Sequence, residues 1–243
     1  MRPPSGAAVS FEAISIAWFY VKNDLGSFVG GTAIILGILY GINLPISFGV
    51  NYMVYGSMGP AGQFELNKVL ETVLLPLPLY ALTQGLLAVF QVGMMEVFYR
   101  KQMGEQAVFG DFFAGFRKFG PVFVAGTISY VLTLLGTCLL IIPALYLQGA
   151  LAFAPMIAFK QEVGGVEAVK RSMNTLKGSH AWSMFGLLFV SSLLVGLGAC
   201  ACGVGLLFTF PLLWGSVAVN YYNFFPPVQP QHFETPLGPP QFV

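Results

Sequence analysis

Apolar runs separated by short polar stretches fill nearly the whole chain. A helix crosses the hydrocarbon core of a bilayer with about 20 apolar residues. Runs of that order predict spans at about 28–50, 75–98, 121–142, 144–160, 181–201 and 204–222. The third and fourth runs are nearly continuous and break at Pro143. The fifth and sixth break around Gly203 and Gly205. Breaks this short predict tight hairpins of antiparallel helices. The expected class is an all-α integral membrane protein, with residues 1–223 as one membrane domain and 224–243 as a proline-rich tail.

A second pattern lies between the spans. Val166, Val169, Met173 and Leu176 follow an i, i+3, i+7, i+10 spacing. Phe109, Phe112, Phe116 and Phe119 repeat it, and so do Phe11, Ile14, Trp18 and Val21. Each set predicts an amphipathic helix with one apolar stripe. A glycine follows each stripe: Gly178, Gly120 and Gly26. Glycine readily takes the left-handed conformation that ends a helix. The expected unit is one interfacial amphipathic helix plus a membrane hairpin, used three times. The stripe would dip into the interface while Lys170, Arg171, Lys177, Arg117 and Lys118 meet anionic headgroups. The competing expectation is a linker helix packed on the bundle.

Composition agrees with lipid as the main solvent. The 243 residues are 56% hydrophobic and 9% charged, where soluble domains carry about a quarter charged residues. The net charge is +1 with no basic block, so nucleic acid is not an expected partner. The lipid bilayer is. Of the eleven Lys and Arg residues, all except Lys68 fall on one side of a six-span arrangement. That bias places both termini in the cytoplasm. The stretch MRPPSGAAVSFEA lacks the basic-then-apolar layout of a cleaved signal, so the first apolar run is expected to remain as a span.

Candidate chemistry is sparse. Glu96 stands four residues before Arg100 near the cytoplasmic end of span two, which predicts an ion pair at headgroup level. A proton or cation site at Glu96 is the sharper alternative. Asn43, Gln84, Gln91 and Gln148 are uncharged polar residues inside spans, and Gln84 and Gln91 share a helix face. They predict either cross-helix hydrogen bonds or a polar seam lining a solute path. Gly26, Gly30, Gly37 and Gly41 give small-xxx-small spacings along span one. Cys138, Cys200 and Cys202 lack metal spacing. Cys138 and Cys200 occupy matching places in two hairpins and are expected as free thiols. His180 and His232 are far apart in the chain, and no zinc-protease motif, nucleophile elbow or phosphate loop is present. No catalytic residue, cofactor or metal is expected.

The stretches VFGDFFAGFRKFGPVF, IIPALYLQGALAFAPMIAFKQEVGGVEAVKRSMNTLKGSHAWSMFGLLF and GVGLLFTFPLLWGSVAVNYY resemble the YciC-like bacterial inner-membrane proteins. They are also similar to the membrane domain attached to some glycerophosphodiester phosphodiesterases. Pro143 and Tyr146 match the family's Pro-x-x-Tyr. Glu167, Ala168, Lys170, Arg171, Ser172, Lys177 and Gly178 match its following helix. The resemblance covers residues 105–225 well and 10–100 loosely. It implies six membrane helices in a bacterial inner membrane, with no agreed activity and no catalytic residues to transfer. The insertion near 52–74 and the tail depart from it.

The leading expectation is thus a non-enzymatic polytopic inner-membrane protein acting as a structural or accessory component. A small-solute transporter or channel is the first alternative. The second is a subunit of a larger energy-converting complex, anchored to other membrane subunits through the tail that contains Phe224, Phe225, Phe233 and Phe242.

Overall fold

The computed structural model describes residues 7–57, 76–200 and 203–226. Among them every regular element is helical. The order is α1 (Ala13–Asn23), α2 (Leu25–Ser57), α3 (Leu77–Gln102), a 3-10 helix (Phe109–Lys118) and α4 (Phe119–Leu139). Then come α5 (Ile141–Ala150), α6 (Ala154–Lys160), α7 (Gly165–Thr175), α8 (Ser179–Cys200) and α9 (Leu206–Phe224). The tail from 227 onward, Cys202 and most of the 52–74 insertion lie outside the described residues.

Five stretches are long and apolar enough to cross a bilayer: Leu25–Gly49, Leu77–Gln102, Phe109–Leu139, Ile141–Lys160 and Ser179–Cys200. By length and composition this is a multi-pass membrane protein. The sixth expected run is α9, a helix of 19 residues. The polar sequence Asn220, Tyr221, Tyr222, Asn223 at its end lowers its apolarity.

The hairpins form where backbone chemistry permits. Leu140, in extended conformation, separates α4 from α5. The break thus falls three residues before Pro143, not at it. Breaking early puts Pro143 in the first turn of α5, where its missing N–H needs no partner. The α8–α9 turn passes through Gly203 with φ +76°, a conformation that favours glycine. Span four is itself two helices. Pro155 cannot donate to the Leu151 carbonyl, so the chain turns between α5 and α6, and the nearby Ala150 carbonyl accepts a bond of 2.7 Å from Ser172 Oγ on α7.

The three stripes behave differently. On α7, Val169 and Leu176 are buried while Val166 is exposed. The helix packs on α4 and α6, so protein covers its apolar face. On α1 the buried face is Ala13, Ala17 and Val21, packed on α9, and Phe11 and Trp18 are exposed. The phenylalanine stripe lies mostly on the 3-10 helix, pressed against α3. Of the three glycines expected to stop a helix, only Gly178 takes a positive φ, +65°. Gly26 lies within α2 and Gly120 within α4, because in both places the next helix starts before the glycine is reached.

Five helices close a ring: α3 packs on α4, α4 on α5, α5 on α8, α8 on α9, and α9 back on α3. One end of this ring carries the basic residues. There Lys101 of α3 bonds Asp24 before α2 (2.7 Å), and Lys118 before α4 bonds Glu162 after α6 (2.5 Å). The Ser10 N–H donates to Asn220 Oδ1 (2.8 Å), and Asn220 Nδ2 donates to the Ser10 carbonyl (3.1 Å). The segment before α1 therefore sits beside the end of α9. We call this the basic end and the opposite one the far end.

Candidate functional site

Inside the ring lies a cavity of about 320 Å³. Its lining follows from helical periodicity. Gly126, Ser129, Tyr130 and Thr133 face it from α4, Gln148, Leu151, Ala152 and Pro155 from α5 to α6, and Phe185, Leu188, Phe189 and Ser192 from α8. Each set is spaced i, i+3, i+4, i+7; in α4 and α8 that is one face of a helix, and the middle set follows the turn from α5 into α6. Gln84, Ala88 and Gln91 face it from α3, and Leu213 and Trp214 from α9.

The polar groups share a depth. Gln84 and Gln148 each stand two turns inside the far end of their helices, as do Ser192 and Trp214. At 1.5 Å per residue that is about 10–12 Å down. Gln91 lies two turns deeper. Below it the ring is plugged toward the basic end by Met94, Met95, Phe98, Phe153, Met156 and Ile157, all essentially inaccessible. This cavity thus ends in a packed apolar floor.

Some of its polar atoms lack protein partners. Ser129 Oγ and Trp214 Nε1 are buried with no hydrogen bond among the described residues. Buried polar groups are normally paired, and each unpaired one needs an explanation. Thr133 differs, since its hydroxyl donates to the Ser129 carbonyl at 2.9 Å.

Of the four polar residues that the sequence marks as a seam, the structure brings Gln84, Gln91 and Gln148 to this cavity. Asn43 is elsewhere: on α2 its Nδ2 donates to its own helix at the Leu39 carbonyl, 2.9 Å away. Sequence reasoning passed over Ser129, Tyr130, Thr133, Ser192 and Trp214. The available signal was the spacing of Ser129 and Thr133, which puts two hydroxyls on one face of a span.

The basic end holds a charge cluster. Lys160 Nζ reaches both carboxylate oxygens of Glu96, at 2.9 and 2.6 Å, and stands 4.1 Å from the centre of the Tyr99 ring. Arg100 bridges Glu96 (3.2 Å) and the fully buried Asp111 (3.3 Å). The expected i, i+4 pair is therefore one edge of a larger network that ties α3, α6 and the 3-10 helix.

The residues proposed to touch headgroups divide. Lys170 and Lys177 are exposed. Arg171 is engaged by Glu167 and Gln161, both at 2.9 Å. Lys118 donates to the Phe159 carbonyl and Glu162, while Arg117 is exposed and lies 3.6 Å from Asp111. The Lys118 hydrogen bond holds the Glu162 carboxyl below its ordinary range. Cys138 and Cys200 are free and exposed. No group of His, Cys, Asp and Glu that would hold a metal occurs among the described residues.

Comparison with protein-family models, with curated proteins and with solved structures finds no match.

Proposed function

We propose that this chain is a non-enzymatic, six-span membrane protein that takes a small neutral solute into the bilayer, as a transporter or channel component. One observation carries the reading: a cavity of about 320 Å³ ringed by five helices and lined by three glutamine amides at membrane depth. Polar residues placed only for packing bond each other across helices. Ser129 Oγ and Trp214 Nε1 instead have no protein partner among the described residues.

The six-span count draws support from the 19-residue length of α9 and from the tie between Ser10 and Asn220. That tie sets the start of the described chain beside the end of α9, as an even count requires. Basic residues at one end favour that end as the cytoplasmic one. The YciC-like resemblance favours a bacterial inner membrane. The test is flux of radiolabelled glycerol and glucose into proteoliposomes. Uptake above empty vesicles that falls in Gln84→Leu supports the reading, and uptake equal to empty vesicles refutes it.

The accessory reading keeps one specific support. On α2 large apolar side chains such as Leu44 and Phe48 stand exposed, and a Cβ at Gly26, Gly37 or Gly41 would meet open space. A second membrane helix fits against such a face. Mass spectrometry of the protein purified in mild detergent decides whether a stable partner accompanies it.

A further inference from the structure

We infer that the cavity is a binding site for an uncharged polyhydroxyl group, presented either by a free polyol such as a small sugar or by the hydroxyl headgroup of a neutral lipid. The inference deepens the solute-handling reading and rests on it.

Charge is the first discriminator. Among the described residues that line the cavity, none is Asp, Glu, Lys, Arg or His. An ion that enters gives up part of its hydration and meets no countercharge, so a neutral solute is favoured. The charged groups of the ring gather instead at the basic end, beyond the apolar floor.

Hydrogen-bond capacity is the second. Gln84, Gln91 and Gln148 each offer a carbonyl acceptor and two N–H donors. Trp214 Nε1 offers a donor and Ser129 Oγ both functions, and neither has a partner among the described residues. A hydroxyl group donates and accepts at once, so neighbouring hydroxyls on one molecule match alternating donors and acceptors better than an ether, a ketone or a hydrocarbon does. A site built to bond hydroxyls also rejects analogues that lack them, because its own groups are then left unpaired.

Shape is the third. Phe185, Phe189, Tyr130 and Trp214 give the wall aromatic surface beside the amides. Polyols carry C–H faces between their hydroxyls, and such faces lie well on aromatic rings. The volume equals about ten waters at 30 Å³ each. That accommodates a hexose or a glycerol headgroup and excludes a large oligosaccharide.

The experiment uses the full chain in nanodiscs with Trp18→Phe and Trp182→Phe. Trp214 then remains as the sole tryptophan of three, and its emission reports the cavity. One arm titrates glycerol and glucose, a second titrates dioctanoylglycerol, and a third titrates glucose 6-phosphate. The expected result is a saturable emission change in one of the first two arms, which identifies the source as free polyol or lipid headgroup. Glucose 6-phosphate is expected at least tenfold weaker than the neutral probe. Gln84→Leu with Gln148→Leu is expected to weaken the response at least tenfold, and Ser129→Ala by a smaller factor.

No saturable change with any neutral probe means a cavity filled by water only, and overturns the inference. So does a phosphate analogue that binds as well as the neutral one. Should the double glutamine variant fail to fold, Ser129→Ala and the charge comparison on the parent protein still decide. Saturable binding without flux in proteoliposomes would keep the site and refute transport. Flux without any change at Trp214 would do the reverse.

Discussion

Lys160 and Glu96 meet across 64 residues of sequence, with Lys160 Nζ 2.6 Å from Glu96 Oε2 and set over the Tyr99 ring. Glu96 also accepts from Arg100 Nε. One carboxylate, 5% exposed, thus answers two cations at the basic end of the ring. The arrangement makes the two partners unequal. Lys160→Met leaves Glu96 paired with Arg100. Glu96→Ala strips both Lys160 and Arg100 of this partner, and each is only partly exposed to solvent.

Breaking a buried pair by removing one partner costs about 3–5 kcal/mol when it leaves an uncompensated charge. Glu96→Ala is expected below that range, at about 1–3 kcal/mol, because Lys160 and Arg100 keep part of their side chains in solvent and Asp111 still holds Arg100. Lys160→Met is expected to cost clearly less. Thermal unfolding of both variants in detergent checks the order. A larger loss in Lys160→Met would contradict it.

Close approach of backbones gives a second prediction. A Cβ at Gly93 would fall on the Phe112 carbonyl of the 3-10 helix, and one at Gly115 would fall on the Val89 carbonyl of α3. Neither neighbour is a flexible side-chain tip. Gly93→Ala must push the 3-10 helix away, at about 1–3 kcal/mol for an overpacked contact. Gly37→Ala on α2 meets open space and is expected to cost nothing. Equal losses at the two sites would refute the packing.

How far the sequence disclosed this arrangement depends on what each pattern encodes. Apolar length encodes solvent, so the multi-pass class was legible from composition. Seven-residue spacing encodes a shared face, so Gln84 and Gln91 could be paired from their positions alone. Which face of α4 or α8 turns inward depends on the neighbouring helices, and this kept Ser129 and Ser192 hidden. A stripe encodes an apolar face but not what covers it. For α7 the cover is protein, through Val169 and Leu176. The phenylalanine spacing of i, i+3, i+7, i+10 suits an α-helix, and spacing alone did not disclose the 3-10 helix that Phe109–Lys118 forms. Gly93 and Gly115, far apart in sequence, are where α3 and the 3-10 helix come close enough to touch backbone to backbone.

The Asp24–Lys101 pair gives a pH dependence. Its 2.7 Å bond to Lys101 lowers the Asp24 carboxyl below its ordinary value of 3.8. A depressed carboxylate contributes stability that is present above its unfolded pKa and lost as pH falls through the folded one. The pair is partly exposed, so screening limits it to about 1 kcal/mol or less. Asp24→Asn is therefore expected to unfold at a lower temperature than the parent at pH 7. The gap should close as pH drops below 3.8. A gap that persists unchanged in acid would assign the effect to something other than this ionisation.

Cys138 and Lys177 test the placement of ends. Cys138 is free, exposed and two residues from the far-end break at Leu140, while Lys177 follows α7 at the basic end. With Cys200→Ser and Cys202→Ser in place, an impermeant maleimide should reach Cys138 from one side of sealed vesicles only. Lys177→Cys, in a chain that also carries Cys138→Ser, should label from the other side only. Labelling of both from one side would overturn the arrangement.

Neighbouring charges on α7 separate lipid from protein as the support of that helix. Lys170 is exposed, whereas Arg171 is held by Glu167 and Gln161. A Lys or Arg close to an anionic surface gains about 1 kcal/mol from it, and nothing comparable from a neutral one. Lys170→Gln should therefore raise amide exchange of α7 in anionic nanodiscs and leave neutral nanodiscs unchanged. Arg171→Gln removes bonds to protein groups and should raise exchange in both. The buried Val169 and Leu176 limit either rise, since the helix stays docked through them. If Arg171→Gln also acted only in anionic lipid, its bonds to Glu167 and Gln161 would count for little, and headgroups would be its main partners.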